Sequence, residues 1–344
     1  MWVVEKFAFK FTGKIKAVPE DFIVEEVWED RVCTVEHAGK RPAVCFGEPR
    51  DYLRFTMVKR DWDTIKALSH LARKLRVSIK RFGIAGMKDK RAVTSQRVSV
   101  WRVNAEDLAS ISLPDIHLKD FEYSDERICL GDAIGNRFTV TIRDVPLPKG
   151  EIAKALEAFG SYVKGTRMPN FFGSQRVGRG RDNAEIGRAI KEGRLDVAVS
   201  MLTEKVRTYA ERGRVDDIPD VFWVEKRVLN HLRSKPNDFA GALRKVPKKL
   251  LRIFPAAFQA SAFNERLARA IEEGSVPESI EVEGFEVKRM PELSAMDLRR
   301  PSYLRVKDFA VIDVGDGFAK IRFALGKGEY ATTFLSHLLD GINP

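Results

Sequence analysis

Cysteine is scarce in this chain of 344 residues. The three cysteines, Cys33, Cys45 and Cys129, are odd in number and far apart, and no Cys-x-x-Cys pair occurs. The sequence therefore predicts neither a zinc site nor a disulfide framework, and it fits a reducing cytosol.

The common motifs for metals, nucleotides and acyl groups are also missing. There is no His-Glu-x-x-His, no Walker loop and no Gly-x-Ser-x-Gly elbow, and none of the five histidines has a metal-ligand spacing. Gly173, Gly178 and Gly180 do not form a Gly-x-Gly-x-x-Gly loop after a strand, which argues against a dinucleotide or S-adenosylmethionine site. Any chemistry is expected to need no metal and no diffusible cofactor.

Long hydrophobic runs are absent from the sequence. Glu5 and Lys6 interrupt the N-terminal segment too early for a signal peptide, and no apolar run approaches membrane-spanning length. We therefore expect a cytoplasmic protein with no membrane association, and no obligatory protein partner is evident.

What the sequence does contain is positive charge. Its 60 Lys and Arg against 49 Asp and Glu give a net charge of +11, and the pI is near 9.5. This balance favours a polyanionic partner, most commonly nucleic acid. The length predicts two domains or one domain with a large insertion, and the hydrophobic fraction of 44% supports a globular fold.

The stretch from Ile84 to Gln96 places one carboxylate, Asp89, among three cations, Lys88, Lys90 and Arg91. Nearby positive charge favours the ionised carboxylate, which suits a nucleophile, and the same cations could hold phosphates. The alternative from local composition is an exposed basic turn in which Asp89 only offsets charge.

Periodicity in the first half predicts a mixed α/β region. Residues 13–29 read as strand, turn and strand, and residues 52–59 read as a further strand. Asp61 is predicted to cap a helix whose apolar stripe runs from Ile65 to Leu75. Residues 136–143 alternate most clearly, and a helix is expected over 151–163.

The middle of the chain changes character. Residues 179–283 are mainly helical in pattern, with a break at 212–219 and the longest helix candidate at 257–273. Strand-like alternation returns at 310–333. We interpret this order as a helix-rich domain inserted into a mixed one, with the tail completing the first sheet.

Residues 168–182 combine Phe171 and Phe172, a glycine-rich turn, Asn170, Gln175 and several arginines including Arg176. RNA recognition uses such parts: an aromatic face for a splayed base, amides for its edge, and guanidinium groups for phosphates. The alternative is a pair of phenylalanines that fills a core. Near the N-terminus, Lys16 precedes a turn and could pair with a distant carboxylate, although a surface lysine is the default interpretation.

Two of these stretches resemble motifs of the TruD family of tRNA pseudouridine synthases and its Pus seven-type relatives. Residues 85–96 are similar to the motif around the family's catalytic aspartate, and residues 169–176 resemble the motif Asn-Tyr-Phe-Gly-x-Gln-Arg. Further similar segments lie in order along the chain at 16–25, 135–138, 258–264 and 328–333. Phe171 and Val177 depart from the usual Tyr and Phe but keep an apolar residue, and Ser336-His337 departs from a frequent Arg-Glu.

The resemblance implies an α/β (α+β) fold. It implies a mixed-sheet pseudouridine synthase core at 1–178 plus 300–344 and an inserted TRUD-specific domain at 179–299. The implied reaction isomerises uridine 13 of tRNA by cleaving the glycosidic bond, rotating the base and rejoining it through carbon, without a cofactor. Asp89 would be the nucleophile, at ribose C1′ or through deprotonation to a glycal.

The remaining site residues also follow from the resemblance. Phe172 would pack on the flipped uracil, Asn170 would hold the loop or contact the nucleotide, and Lys16 would pair with the aspartate. Lys88, Lys90, Arg91, Gln175 and Arg176 are candidate RNA contacts. Two other functions stay open: an inactive tRNA-binding chaperone or scaffold, and an RNA methyltransferase or metal nuclease, which would need a cofactor loop or ligand set.

Overall fold

The computed structural model describes residues 10–36, 47–177 and 182–340. These residues divide into two compact units. The helical unit is Pro169–Tyr303, and the sheet unit comprises the described residues up to Met168 and from Leu304 onward. The domain boundary expected at 178/179 lies outside the described residues, as does Cys45, and the one expected at 299/300 falls within a strand of the helical unit.

The strands, numbered along the chain, are β1 Phe22–Val27, β2 Tyr52–Arg60, β3 Phe82–Ile84, β4 Val93–Trp101, β5 Ile116–Ser124, β6 Gly135–Ile142, β7 Ser279–Val282, β8 Leu298–Pro301, β9 Lys307–Gly315 and β10 Phe318–Gly326. The helices are α1 Thr64–Lys74, α2 Ala105–Ala109, α3 Lys149–Gly165, α4 Ser174–Val177, α5 Asp182–Lys191, α6 Leu195–Thr203, α7 Arg207–Glu211, α8 Trp223–Ser234, α9 Phe239–Leu243, α10 Lys248–Leu251, α11 Ile253–Glu272 and α12 Ala331–Leu338.

The sheet unit is built on one mixed sheet in the order β5-β2-β4-β1-β6-β10-β9, with β3 added beside β4. Only the β1–β4 pair among these is parallel. β10 pairs with β6 in continuous register from Ala319 to Gly326. The tail therefore completes the first sheet, as its alternation predicted.

Alternating apolar side chains attach helices to this sheet. Leu53, Phe55 and Met57 of β2 pack with Leu68 and Leu71 of α1 in one buried cluster. A second cluster joins β1, β6 and β10 to α3 and α12. Burial of these faces is the main source of stability for the sheet unit.

The helical unit has α11 at its centre. Its buried side chains include Ala257, Phe263 and Leu267, and it packs closely against α5. Gly187 makes this approach possible, because a Cβ at that position would overlap the carbonyl oxygen of Phe254. β7 and β8 form a separate two-stranded antiparallel sheet.

Two predictions of local structure were wrong. Asp61 does not cap α1; it has a left-handed φ of 54°, and Asp63 caps the helix by accepting the Lys66 N–H at 2.9 Å. Residues 13–18 make an isolated bridge at Lys14 but no strand. The Asp89 loop leads into a strand, as predicted, and β4 begins at Val93. The physical reason in the first case is that the chain must turn sharply after β2 before a helix can start.

Candidate active site

Asp89 lies in the loop between β3 and β4 of the sheet unit, with about half of its side chain exposed. The Nζ of Lys16 is 3.5 Å from Asp89 Oδ1, and the Lys16 side chain is 19% exposed. The structure thus brings together two residues that are far apart in sequence, and the lysine is not an ordinary surface residue.

Lys16 is held in place by more than the ion pair. Its backbone has a φ of 59°, a conformation that costs a non-glycine residue about 1–2 kcal/mol. Its Nζ also lies 4.1 Å from the ring centroid of Phe22, which is buried at the start of β1. Such strain is retained where surrounding contacts over-determine the conformation, and it is common at functional sites.

Arg91 connects the Asp89 loop to the same segment. Its Nη2 donates to the carbonyl oxygen of Ala17 at 2.8 Å. This bond ties the residue that follows Lys16 to the residue two positions after Asp89. The ion pair is therefore flanked by a second link between the two loops.

Of the three cations around Asp89, two are exposed and one is not. Lys90 and Arg91 are exposed, whereas the Lys88 side chain is only 8% exposed and pairs with Glu26 at 2.7 Å. Glu26, on β1, is fully buried and also accepts the backbone N–H of Arg97 at 2.9 Å through its other oxygen. Lys88 thus anchors the loop to β1.

Three buried polar side chains form hydrogen bonds with the backbone of this loop. Lys59 Nζ donates to the carbonyl of Asp89 at 2.8 Å, and Gln96 Nε2 donates to the carbonyl of Gly86 at 2.9 Å. Thr64 Oγ1 accepts the Lys88 N–H at 3.1 Å and lies 3.3 Å from Gln96 Oε1. The loop that carries Asp89 is therefore anchored at three backbone positions.

Lys59 is a residue that sequence reasoning missed. It is fully buried, and burial lowers the pKa of its ammonium group to about 8, although the charges of Asp89 and Asp63 act in the opposite direction. A signal was present, because Leu53, Phe55, Met57 and Lys59 alternate on one side of β2. A lysine at an inward position of a strand needs buried partners, which here are backbone carbonyls.

Phe172 lies in the helical unit and is 7% exposed. Its ring meets Phe263 edge-on, with centroids 5.4 Å apart, and the guanidinium carbon of Arg300 lies 3.9 Å from its centroid. Asn264 holds its backbone from both sides, since Oδ1 accepts the Phe172 N–H at 2.8 Å and Nδ2 donates to the Phe172 carbonyl at 2.9 Å. Within this unit the geometry favours the core-filling alternative, and the stacking role stays a prediction.

Asn170 is fully buried beside Phe172. Its Nδ2 donates to the carbonyl of Pro301 at 3.1 Å, and its Oδ1 accepts from Arg300. Of its two predicted roles, this geometry favours holding the loop. Arg176 is exposed on α4, and the side chain of Gln175 lies outside what the structure describes.

Over residues 10–36, 47–177 and 182–340, no cluster of three or more His, Cys, Asp or Glu could hold a metal ion. In the same ranges no helix is long and apolar enough to cross a membrane. The site on the sheet unit is an exposed carboxylate that pairs with an ammonium group, on a loop whose backbone is held by buried side chains. Such a carboxylate can attack a bound ribose or remove a proton from it.

Residues 8–280 match the family model described as tRNA pseudouridine synthase D (TruD). This chain belongs to the TruD family. A probable tRNA pseudouridine synthase D of Methanosarcina barkeri is 34% identical over 288 residues, which span 78% of this chain and 63% of that relative. A probable tRNA pseudouridine synthase D of Methanosarcina acetivorans is 30% identical over 94% of this chain and 91% of its own length.

The fold agrees with the crystal structure of the putative tRNA pseudouridine synthase D (TruD) from Methanosarcina mazei. The TM-score is 0.73 at 25% sequence identity, with 98% of this chain and 95% of that chain covered. The predicted family and the mixed α/β fold class are thereby confirmed, as is the assignment to the pseudouridine synthases, which are isomerases.

Proposed function

We propose that this chain isomerises a uridine of tRNA, expected to be uridine 13, to pseudouridine with Asp89 as the reacting carboxylate. The observation that carries the proposal is the pairing of Asp89 Oδ1 with Lys16 Nζ at 3.5 Å on a loop whose backbone is anchored by buried side chains. Membership of the TruD family supplies the reaction class.

The reaction breaks the N1–C1′ bond, forms a C5–C1′ bond, and replaces the C5 proton by one on N1, so the composition is unchanged. Asp89 either adds to C1′ as the base leaves or removes a proton from C2′ to give a glycal. In either route its partner Lys16 holds the carboxylate oxygen in place, which serves positioning of the reacting atoms.

The target uridine has to leave its stack before it can reach Asp89, at a cost of a few kcal/mol. Exposed Lys90 and Arg91 flank the carboxylate and carry the charge needed to contact the RNA backbone. Lys88 contributes through its buried pair with Glu26 instead of through a phosphate. tRNA is the proposed partner of this surface.

Asp89→Asn tests the carboxylate. Because the substitution is isosteric and the site is half exposed, the variant should fold and bind tRNA nearly as the unsubstituted protein does, while release of tritium from C5-labelled uridine should stop. Asp107→Asn, an exposed site on α2, is the matched control and should retain activity. Turnover by Asp89→Asn would rule out Asp89 as the reacting group.

The position of the product tests the expected target. Mapping pseudouridine in tRNA after reaction should find it at position 13, and a product only at another position would disprove that expectation. Salt-dependent tRNA binding with no pseudouridine at stoichiometric enzyme would instead support the inactive RNA-binding alternative. Thermal stabilisation by S-adenosylmethionine or a divalent metal would support the methyltransferase or nuclease alternative.

Phe172→Leu tests the stacking role while limiting the loss of packing. Leucine keeps an apolar side chain and removes less volume than truncation to alanine, which typically costs about 3–5 kcal/mol of stability. A lost aromatic stack on a base costs about 1–3 kcal/mol. If Phe172 stacks on uracil, turnover falls roughly tenfold or more with tRNA binding much less affected. Unchanged turnover in the folded variant would assign Phe172 to the core of the helical unit.

A further inference from the structure

Lys59 lies one residue before the end of β2, on the side of the strand that faces the apolar cluster. Its ammonium group is shielded from solvent, and it donates to two backbone carbonyls, that of Trp62 at 2.7 Å and that of Asp89 at 2.8 Å. One of these carbonyls belongs to the residue proposed to react. The other lies in the turn that leads into α1.

Stability alone does not explain a charge at this position. Burying an ammonium group is costly, and apolar residues of similar volume often replace buried ions without loss of stability. Methionine has the same chain length as lysine up to the terminal group and would fit the apolar face without burying a charge, but it would remove the donor to the carbonyls of Trp62 and Asp89. The use of the ammonium group at this position is therefore to hold those two carbonyls and not to fill the interior.

We infer that Lys59 is a positioning residue for Asp89, holding the Asp89 carbonyl so that the carboxylate stays opposite Lys16. The inference rests on the proposed role of Asp89. A charge-assisted hydrogen bond is stronger and more directional than a neutral one, which suits a bond that fixes one residue of an exposed loop. A backbone shift of an ångström at such a residue can cost about a hundredfold in rate.

The neighbouring anchors show that this part of the loop is held as a unit. Thr64 from α1 takes the Lys88 N–H, and Gln96 from β4 binds the Gly86 carbonyl. Lys59 adds the contact from β2 and is the one of the three that reaches Asp89 itself. Each anchor is nearly or fully buried, so water does not compete for these bonds.

Lys59→Met tests the inference, with Lys226→Met as the matched control. Lys226 of the helical unit also donates to two backbone carbonyls, those of Asp216 and Ile218, and both of these belong to its own unit. Single-turnover isomerisation and tRNA affinity are measured for both variants. We expect Lys59→Met to lower the rate between about tenfold and a hundredfold with tRNA affinity within about threefold, and Lys226→Met to leave the rate unchanged.

A pH profile gives a readout that a structural role would not move. Burial lowers the pKa of Lys59 to about 8, with the charged groups of Asp89, Asp63, Lys88 and Asp61 around it. The rate of the unsubstituted protein should therefore fall above about pH 8, as the Lys59 ammonium loses its proton. The same fall should be absent in Lys59→Met.

Lys59→Gln retains an uncharged N–H donor group on a shorter side chain and serves as a second substitution should Lys59→Met not fold. Its rate should lie between those of the unsubstituted protein and Lys59→Met. A full rate in either folded variant overturns the inference. If Asp89→Asn keeps its activity the proposed role of Asp89 fails, whereas an inactive Asp89→Asn with a fully active Lys59→Met removes only the role of Lys59.

Discussion

Replacing Lys16 separates the effect of its charge from the effect of its backbone. Lys16→Met removes the ammonium group but keeps a side chain at the left-handed φ of 59°. Lys16→Gly removes the ammonium group and also the conformational strain, because glycine adopts positive φ without penalty. Both variants lack the ammonium group, but only Lys16→Gly also removes the conformational strain.

The magnitude of the charge effect follows from the 3.5 Å separation of Lys16 Nζ and Asp89 Oδ1. Two unit charges at that distance attract by about 1 kcal/mol in water and about 5 kcal/mol at an effective dielectric constant of 20. Because about half of the Asp89 side chain is exposed, solvent screens the ion pair and the attraction lies near the lower of these two values. If losing this attraction raises the activation free energy by about 1–2 kcal/mol, the rate falls by about 5- to 30-fold.

The backbone effect acts on stability. A non-glycine residue at positive φ costs about 1–2 kcal/mol, and glycine returns about 0.5–1 kcal/mol of that through the greater entropy of the unfolded chain. The free energy of unfolding of Lys16→Gly should therefore exceed that of Lys16→Met by between zero and about 1.5 kcal/mol in urea unfolding. Both variants should lose a similar fraction of the rate.

Single-turnover isomerisation at saturating enzyme is the assay, with tRNA affinity measured separately. Full activity in Lys16→Met would refute the idea that the ammonium group positions Asp89. A rate restored only in Lys16→Gly would show instead that the backbone conformation, and not the charge, matters.

Other predictions concern buried groups. Asn264→Ala removes the two side-chain hydrogen bonds to the Phe172 backbone and should lower the free energy of unfolding by about 1–3 kcal/mol, and a loss below about 0.5 kcal/mol in urea unfolding would contradict this. Burial raises the pKa of the Cys33 thiol to about 11, whereas Cys129 is exposed; maleimide at pH 8 should label Cys129 far faster, and equal labelling by peptide mass spectrometry would disprove it. The pKa of Lys59 is about 8 in the folded state against 10.5 for a free lysine, so the unfolded chain binds more protons between these values. The stability of the unsubstituted protein relative to Lys59→Met should therefore rise from pH 8 to 10.5, by on the order of 3 kcal/mol, and a flat difference across that window would contradict the lowered pKa.

Periodic patterns in the sequence predicted the elements whose burial is one-sided. The alternation at 136–143 became β6, and the apolar spacing at 257–273 became most of α11. The pattern could not place the cap of α1, because both Asp61 and Asp63 are good capping residues and the turn after β2 decides between them.

The contacts of the site depend on residues that are distant in sequence. Asn264 is 92 positions from Phe172, and no local pattern indicates that its side chain binds both backbone groups of Phe172. Lys88 stands beside Asp89 in sequence and was predicted to contact RNA, yet its side chain points to Glu26 on β1. Local charge composition describes which residues are present in the loop, whereas the register of the sheet decides which of them reach solvent.

The anchors of the Asp89 loop limit which part of the site can adapt to RNA. β1, β2, β4 and α1 each supply a buried side chain that binds residues 86–89, and Arg91 binds the loop to the segment of Lys16. A loop held from four elements has a fixed backbone, so its carboxylate is positioned before the substrate arrives, and little entropy is lost at that residue on binding. In the proposed function, adaptation to the RNA backbone would fall to the exposed side chain of Lys90, whose flexible stem can follow a phosphate without moving Asp89. The buried cation Lys88 and the bonded cation Arg91 would then serve the loop, and Lys90 the substrate.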